Sequence, residues 1–342
     1  MRRRQTLVGL AIALALVGLL VYGVGWQEVL ALLSEAKPQY VAGAVLAGGG
    51  ILLVRGLVLE RLLRPVAGAP RGVAFAVPFL AGYFARSVLP WGRSTGAPVM
   101  AFLLAANSDA EPEDTLAAIS LAEVFAFLAS IIIALAGGLL YLDIDLLRTE
   151  ETASTVVYSL SVGILAGLIV AGTVVGLTRD GYVRRLMTRG ARGLDSLLHG
   201  RPRVRTPDPV SRRLENFLRT LGTVGAARRT LVVAFALALS SWFINVLPLY
   251  FAFLALGIEG GFVLALLCAP LASFGGILPL PGGTGGIETV LVSLLVTVGG
   301  LSLESATASA LLFRLSTYWL HVTVCGAGAW YLSIRGKRTI TV

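Results

Sequence analysis

Long apolar runs separated by short polar segments dominate the pattern of this chain. Runs of about twenty residues are long enough to cross the hydrocarbon core of a bilayer as helices, whereas β-barrel strands would alternate over about ten residues. The pattern therefore predicts an all-α polytopic membrane protein, folded as a single transmembrane domain over residues 1–342. Six full spans are predicted, at residues 6–25, 40–63, 116–142, 154–178, 231–256 and 305–334.

Two further apolar stretches, residues 73–106 and 262–299, are interrupted by glycine and proline. Both residue types end helices, and backbone broken at membrane depth must face protein or water because lipid offers no hydrogen-bonding partner. Each stretch therefore predicts a re-entrant hairpin, the kind of element in which transporters place their binding sites. The returning half-helices are expected to begin at Ser94 and at Thr284, the predicted N-cap, and their positive ends favour a phosphate.

Basic residues predict the orientation of the chain in the membrane. Residues 179–229 form an Arg-rich amphipathic segment with thirteen arginines and four acidic residues, out of a net charge of +9 for the whole chain. Such an excess is typical of a cytoplasmic face, so both termini are expected in the cytoplasm of a multi-pass protein of the cell membrane. The segment either fixes orientation alone or also captures anionic lipid.

In this orientation the two hairpins enter from opposite faces, which is an inverted repeat of the kind found in alternating-access carriers. Two full pairs of spans in place of the two hairpins would fit the loop charges equally well.

Composition excludes several classes of function. With 56% hydrophobic and 14% charged residues and a mean hydropathy of +0.83, the chain is not an ordinary soluble domain. Its two cysteines lie in apolar runs and it has two histidines, so no metal site or other cofactor is predicted. The GGTGG run lacks the lysine that closes a phosphate loop, no catalytic motif is found, and no nucleic acid partner is expected.

Ionisable residues inside the predicted membrane segments are the candidates for chemistry, because a charge at a helix centre costs about 2.5 to 3.5 kcal/mol. They are Arg55, Arg86, Arg93, Glu123, Glu288, Arg314 and His321. Arg314, Tyr318 and His321 share one helical face. The predicted substrate-binding set is Arg86, Pro90, Arg93, Glu123, Asn245, Pro281, Gly282, Gly283, Glu288, Arg314, Tyr318 and His321.

Cations and carboxylates that face inward would form a polar cavity for the charged head group of a lipid whose acyl or prenyl chains stay in the membrane. The alternative is that Arg86 with Glu123, and Arg314 with Glu288, are ion pairs that merely neutralise each other in the bundle.

Three motifs, GYFARSVLPWGRSTGAP at 82–98, LPLPGGTGGIE at 278–288 and FRLSTYWL at 313–320, carry a resemblance to a known family. The chain resembles the flippase-like integral membrane family, also named for the lysylphosphatidylglycerol synthase transmembrane region, over about residues 5–335. The resemblance implies about eight hydrophobic segments with re-entrant helices and the movement of aminoacylated phospholipids or polyprenyl-linked sugars between leaflets. The positions that match the motifs are Pro90, Arg93, Pro281, Gly282, Gly283, Glu288 and Arg314.

One departure bears on the substrate. Where the family's first motif usually continues with an acidic and then a basic residue, this chain has Ala97 and Met100. A carboxylate that could meet a cationic head group is thus missing, which favours an anionic or sugar-phosphate lipid.

The sequence predicts a flippase for a charged or sugar-phosphate-headed membrane lipid of phospholipid or polyprenyl-phosphate type. A second copy of the chain, or a glycosyltransferase or synthase, is the expected protein partner. Two alternatives remain open, a non-transporting membrane partner and a lipid-modifying intramembrane enzyme of envelope or glycosylation pathways.

Overall fold

A computed structural model describes residues 26–90, 92–145, 209–259, 261–277 and 280–339, with the backbone alone for 93–94, 142–145, 209–211 and 335–339. The predicted spans 6–25 and 154–178 and the basic stretch 179–208 lie outside the described residues. All regular secondary structure in the described part is helical, which confirms the predicted all-α class.

The α-helices follow one another along the chain as α1 Trp26–Ser34, α2 Pro38–Leu63, α3 Val73–Val88, α4 Gly92–Ala105, α5 Pro112–Asp145, α6 Pro209–Ala226, α7 Arg228–Leu256, α8 Phe262–Ala272, α9 Gly286–Thr297, α10 Leu303–Arg314 and α11 Leu320–Thr339. Two 3₁₀ turns, Ser273–Ile277 and Pro281–Gly283, lie between α8 and α9. A π-helical turn, Leu315–Trp319, joins α10 to α11.

Three of these helices are long and apolar enough to cross a membrane, namely Pro38–Leu63, Pro112–Tyr141 within α5, and Arg228–Leu256. They coincide with the spans predicted at 40–63, 116–142 and 231–256. The stretch predicted as a span at 305–334 is helical but contains the π turn. There the hydroxyls of Ser316 and Thr317 donate to the carbonyls of Leu312 and Phe313, at 2.9 and 2.7 Å. Such side-chain competition bends helices, and single π turns are frequent at functional sites.

Both glycine- and proline-rich stretches are broken into short helices. α3 and α4 have 16 and 14 residues and are therefore about 24 and 21 Å long, while the hydrocarbon core is about 30 Å thick. α8 and α9 are shorter still, with 11 and 12 residues.

The predicted starts of the returning helices are corrected by the structure. The N-cap of α9 is Gly285, not Thr284, because the chain there has a φ of 85° that glycine adopts without steric cost. The Thr284 hydroxyl instead donates to the carbonyl of Pro281 at 2.7 Å. α4 begins at Gly92, so Ser94 lies within its first turn.

α7 is central to the packing of the described helices, since it contacts α2, α5, α8 and α10. One apolar core, with Phe79, Leu104 and Trp242, joins α2 to α5 with α7. A second core, with Phe253 and Leu267, joins α7 to α10. α3 packs on α4 and α11, and α8 packs on α5. The two breaks consequently lie side by side, next to the middle of α7 and the π turn.

α6 forms most of the described part of the predicted Arg-rich amphipathic segment, residues 179–229. Its arginines Arg212 and Arg213 are exposed and Val224 is buried. Arg213 pairs with Glu113 at 3.2 Å, and the Thr220 hydroxyl donates to Asp114. α6 is thus fixed to the start of α5.

Candidate functional site

A cavity of about 140 Å³ lies between the two helix breaks, and we call it the arginine cavity. Three guanidinium groups line it, those of Arg55, Arg86 and Arg314, and no aspartate or glutamate does so among the residues that the structure describes. At about 30 Å³ per water molecule in the liquid, this space has room for roughly four or five water molecules. The cavity is therefore a polar chamber inside an apolar bundle, large enough for water and lined by cationic side chains.

Arg314, the last residue of α10, connects that helix to the break between α8 and α9. Its side chain is 7% exposed, and its Nε donates to Glu288 Oε1 at 2.6 Å. Its Nη2 donates to the carbonyl of Gly282 at 3.1 Å, and its guanidinium lies 4.3 Å from the ring centre of Tyr318. The other oxygen of Glu288 accepts the N–H of Gly285 at 2.8 Å. The carboxylate thus caps α9 and holds the guanidinium at the same time.

Arg86, in the last turn of α3, forms a two-pronged pair with Glu123 of α5. Nη2 donates to Oε2 at 3.0 Å and Nη1 donates to Oε1. Gly96 of α4 allows close approach here, because a Cβ at that position would lie 2.5 Å from the Arg86 Cα. The first hairpin and α5 together therefore fix the direction of the Arg86 side chain.

Arg55 of α2 differs from the other two arginines of the cavity. It donates to the Tyr83 hydroxyl, and no carboxylate within the described residues pairs with it. The ring of Tyr83 in turn meets that of His321 edge-on, with ring centres 5.7 Å apart. His321 Nε2 lies 2.8 Å from the Gly48 carbonyl oxygen. Of the three guanidinium groups, that of Arg55 contributes an uncompensated positive charge.

A second cavity of about 120 Å³, which we call the glutamate cavity, adjoins the first. Glu123, Ser130 and Ser241 line it, and it shares Arg55, Tyr83, Arg86, Trp242 and Ser273 with the arginine cavity. The indole N–H of Trp242 is buried without a partner among the described residues. An unpaired buried donor costs about 1–3 kcal/mol. Trp242 lines both cavities, so we expect this donor to reach a water molecule or ligand there when the side chain moves.

The structure brings most of the predicted binding residues together. Those that line the arginine cavity are Arg86, Asn245, Gly282, Gly283, Arg314, Tyr318 and His321. Glu123 lines the glutamate cavity, and Glu288 contacts the first cavity through Arg314. Pro90 and Pro281 lie at the two breaks outside the described lining, and the side chain of Arg93 lies outside the described residues. Both ion pairs considered as the alternative, Arg86–Glu123 and Arg314–Glu288, are formed.

Sequence reasoning missed Tyr83 and Trp242 and left Arg55 out of the binding set. Tyr83 precedes Arg86 by three residues, and Trp242 precedes Asn245 by three, so each shares a helix face with a residue that was predicted. An aromatic ring with a polar atom, one turn from an intramembrane polar residue, was the signal available.

Comparison with known proteins identifies the family of this chain. Residues 6–325 match the family model described as "Lysylphosphatidylglycerol synthase TM region". Three proteins of Methanothermobacter thermautotrophicus, each named UPF0104 membrane protein, are similar to this chain. The first is 24% identical, over 90% of this chain and 89% of its own length. The second is 37% identical, over 35% of this chain and 39% of its own length. The third is 23% identical, over 92% of this chain and 90% of its own length.

The matched region contains both broken hairpins, all of α1 to α10 and the part of α11 that carries His321. The chain therefore belongs to the lysylphosphatidylglycerol synthase transmembrane region family of membrane proteins.

Proposed function

We propose that this membrane protein moves a lipid with an anionic, phosphate-bearing head group from one leaflet to the other. The observation that carries the proposal is the lining of the arginine cavity, with three guanidinium groups and no described carboxylate. Guanidinium groups are suited to phosphate because their planar, forked donors match its oxygens. Trp242 and Asn245 also line the cavity, and the Trp242 N–H has no partner among the described residues.

The proposal includes the arrangement of the chain in the membrane. Six full spans and two re-entrant hairpins, which enter from opposite faces with both termini in the cytoplasm, would put the cavity near the bilayer midplane. The shortness of α3, α4, α8 and α9 supports this, because none of them is long enough to cross the hydrocarbon core alone. The protein would act as a carrier in the cell membrane, alone or with a second copy or a lipid-handling enzyme.

Lipid movement is measured in phosphatidylcholine vesicles that contain the purified protein. A phosphatidic acid with a fluorescent chain serves as the probe, and a membrane-impermeant reductant reports how much of it reaches the outer leaflet. We expect phosphatidic acid to move faster than equally labelled phosphatidylcholine. Equal rates in protein-containing and empty vesicles would instead indicate a non-transporting membrane partner. A chemically altered lipid in mass spectra would indicate an enzyme.

Arg55→Gln is the most informative variant for this assay. Arg55 pairs with no carboxylate among the described residues, so its removal leaves no carboxylate without a cation. Loss of one hydrogen bond to a charged group costs about 1.5–3 kcal/mol, which corresponds to a rate at least about tenfold lower. Arg64→Gln, at the exposed end of the same helix, is the control and should leave the rate within about twofold. Equal effects of the two variants would rule out a specific role for the cavity.

The depth of the hairpin tips is a separate test. Cys268 and Cys325, which are buried, would be replaced first. A fluorophore would then be attached to a new cysteine at Val88→Cys or Ile277→Cys, since Val88 and Ile277 are 37% and 72% exposed. We expect strongest quenching by lipids brominated near the chain ends. Strongest quenching by head-group quenchers would mean that the tips reach the surface and that each hairpin is a full pair of spans.

A further inference from the structure

A long apolar groove runs along the outside of the bundle beside the arginine cavity. It lies between α2, α3 and α11 and has a volume of about 640 Å³. Leu46, Leu53 and Leu57 of α2 line one wall, and Phe75 and Leu80 of α3 line the other. We call it the side groove. Its α2 wall extends from residue 45 to residue 60, which is about 22 Å of helix and longer than half of the roughly 30 Å hydrocarbon core. One hydrocarbon chain of a leaflet therefore fits along it.

The side groove adjoins both polar cavities. His321 lines the groove and the arginine cavity, and Phe79 lines the groove and the glutamate cavity. A single layer of side chains thus separates apolar from charged space.

Two hydrogen bonds close the boundary between groove and cavity. His321 bonds the Gly48 carbonyl and so joins α11 to α2, while Arg55 donates to Tyr83 and so joins α2 to α3. Along the groove itself α2 packs mainly on α7, and α3 mainly on α4 and α11. α2 and α3 have few contacts with each other, so separating them at this boundary requires the loss of little besides the Arg55–Tyr83 bond. On the other side α2 stays packed on the π turn, where a Cβ at Gly48 would lie 1.8 Å from the Ser316 carbonyl oxygen.

We propose that the side groove holds a hydrocarbon chain of the same lipid whose phosphate lies in the arginine cavity. The boundary formed by His321, Tyr83 and Arg55 is then the place where the head group passes sideways between membrane and cavity. This inference rests on the proposed function for the identity of the head group. The groove guides the chain and adds little affinity, because a chain in the groove and a chain in the bilayer are both in apolar surroundings.

Photocrosslinking tests the groove directly. Benzoylphenylalanine is placed at Leu53, which is 64% exposed in the groove, or at Leu139 of α5, which is 65% exposed outside it. The probe is phosphatidic acid with an alkyne-tagged chain in phosphatidylcholine vesicles. We expect at least fivefold more crosslinking at 53 than at 139. Equal crosslinking at the two positions would overturn the proposal, since both would then report bulk lipid.

The link between chain and head group is tested by adding Arg55→Gln to the crosslinking variant. We expect crosslinking at 53 to fall to the level at 139, whereas Arg64→Gln leaves it within twofold. Persistence of the signal in Arg55→Gln would mean that a chain occupies the groove independently of the cavity, which also overturns the proposal.

A blocking variant connects the groove to movement. Gly49 lines the groove and a Cβ there would meet nothing within 4 Å, so we expect the side chain of Gly49→Trp to occupy the groove. We expect phosphatidic acid movement to slow at least tenfold, while binding of glycerol phosphate, which has no chain, stays within twofold. Leu139→Trp should change neither. An unchanged rate of movement in Gly49→Trp would contradict the proposal.

The outcomes separate the two proposals. Lipid movement together with equal crosslinking at 53 and 139 leaves translocation standing and removes the groove. Crosslinking at 53 that depends on Arg55, in a protein that moves no lipid, leaves the groove standing and removes translocation.

Discussion

Removing the charge of Arg314 without that of Glu288 should destabilise the protein far more than removing both. The two side chains are 7% and 12% exposed, so Arg314→Gln leaves a nearly buried carboxylate without its cation. Breaking a buried ion pair in this way costs about 3–5 kcal/mol, whereas replacing the whole pair is often close to neutral. At about 2 °C per kcal/mol for a large domain, the single variant should unfold about 6–10 °C below the wild type.

The chain itself provides the assay. Cys268 and Cys325 are both buried free thiols, so a dye that fluoresces on reaction with thiols reports unfolding of the protein in detergent. We expect Arg314→Gln with Glu288→Gln to recover more than half of the lost unfolding temperature. The residual loss has a local cause, because the Gly282 carbonyl and the N–H of Gly285 then have weaker partners.

Stability and lipid movement should separate in this series. The double variant is expected to fold and yet to move phosphatidic acid at least tenfold more slowly, since the cavity has lost one of its three cations. An unfolding temperature of Arg314→Gln equal to that of the wild type would refute the reasoning, because it would mean that no buried charge was stranded. A double variant less stable than the single variant would refute it as well.

Two further substitutions address the cavity lining. Trp242→Phe removes the unpaired indole N–H. It should slow phosphatidic acid movement about two- to tenfold, which corresponds to the loss of one neutral hydrogen bond, without lowering the unfolding temperature. Trp319→Phe, at a 54% exposed position, is the matched control and should change neither the rate nor the unfolding temperature. Gly282→Ala should lower both the unfolding temperature and the rate, because φ is 58° there and the added Cβ would lie 2.0 Å from the Tyr318 ring. Gly222→Ala, where a Cβ meets nothing within 4 Å, should leave the rate unchanged. A Trp242→Phe protein with the wild-type rate would show that no ligand uses the N–H, and equal effects of the two alanine variants would show that the Gly282 turn does not matter.

The long helices could be predicted from the sequence because membrane length and hydrophobicity are local properties. α2, α5 and α7 begin and end within a few residues of the predicted spans. The breaks within 73–106 and 262–299 were predictable for the same reason, since glycine and proline act on their own backbone. The start of α9 was mispredicted, because a threonine is a common N-cap and nothing in the local sequence shows that the turn requires the positive φ of Gly285.

The assembly of the cavity could be predicted only in part. Arg86, Arg314 and Glu288 stood out because a charge in an apolar stretch is costly and therefore conspicuous. Tyr83 and Trp242 did not, since aromatic residues are ordinary in membrane helices and their role depends on which helix packs against which face. That information lies in long-range contacts such as the bond of His321 to Gly48, which no periodicity along the chain encodes.

The two carboxylates of the site position its arginines without using up their donors. A guanidinium has five N–H groups; Arg314 uses two of them on Glu288 and Gly282, and Arg86 uses two on Glu123. The remaining donors of both side chains are held in fixed directions, so in the proposed carrier a phosphate would meet a preorganised site whose charge is already largely balanced. Arg55 would supply the charge that attracts the anion. Three unbalanced arginines would hold a phosphate more strongly, but the proposed carrier must also release its ligand, and a partly neutralised site would allow both steps.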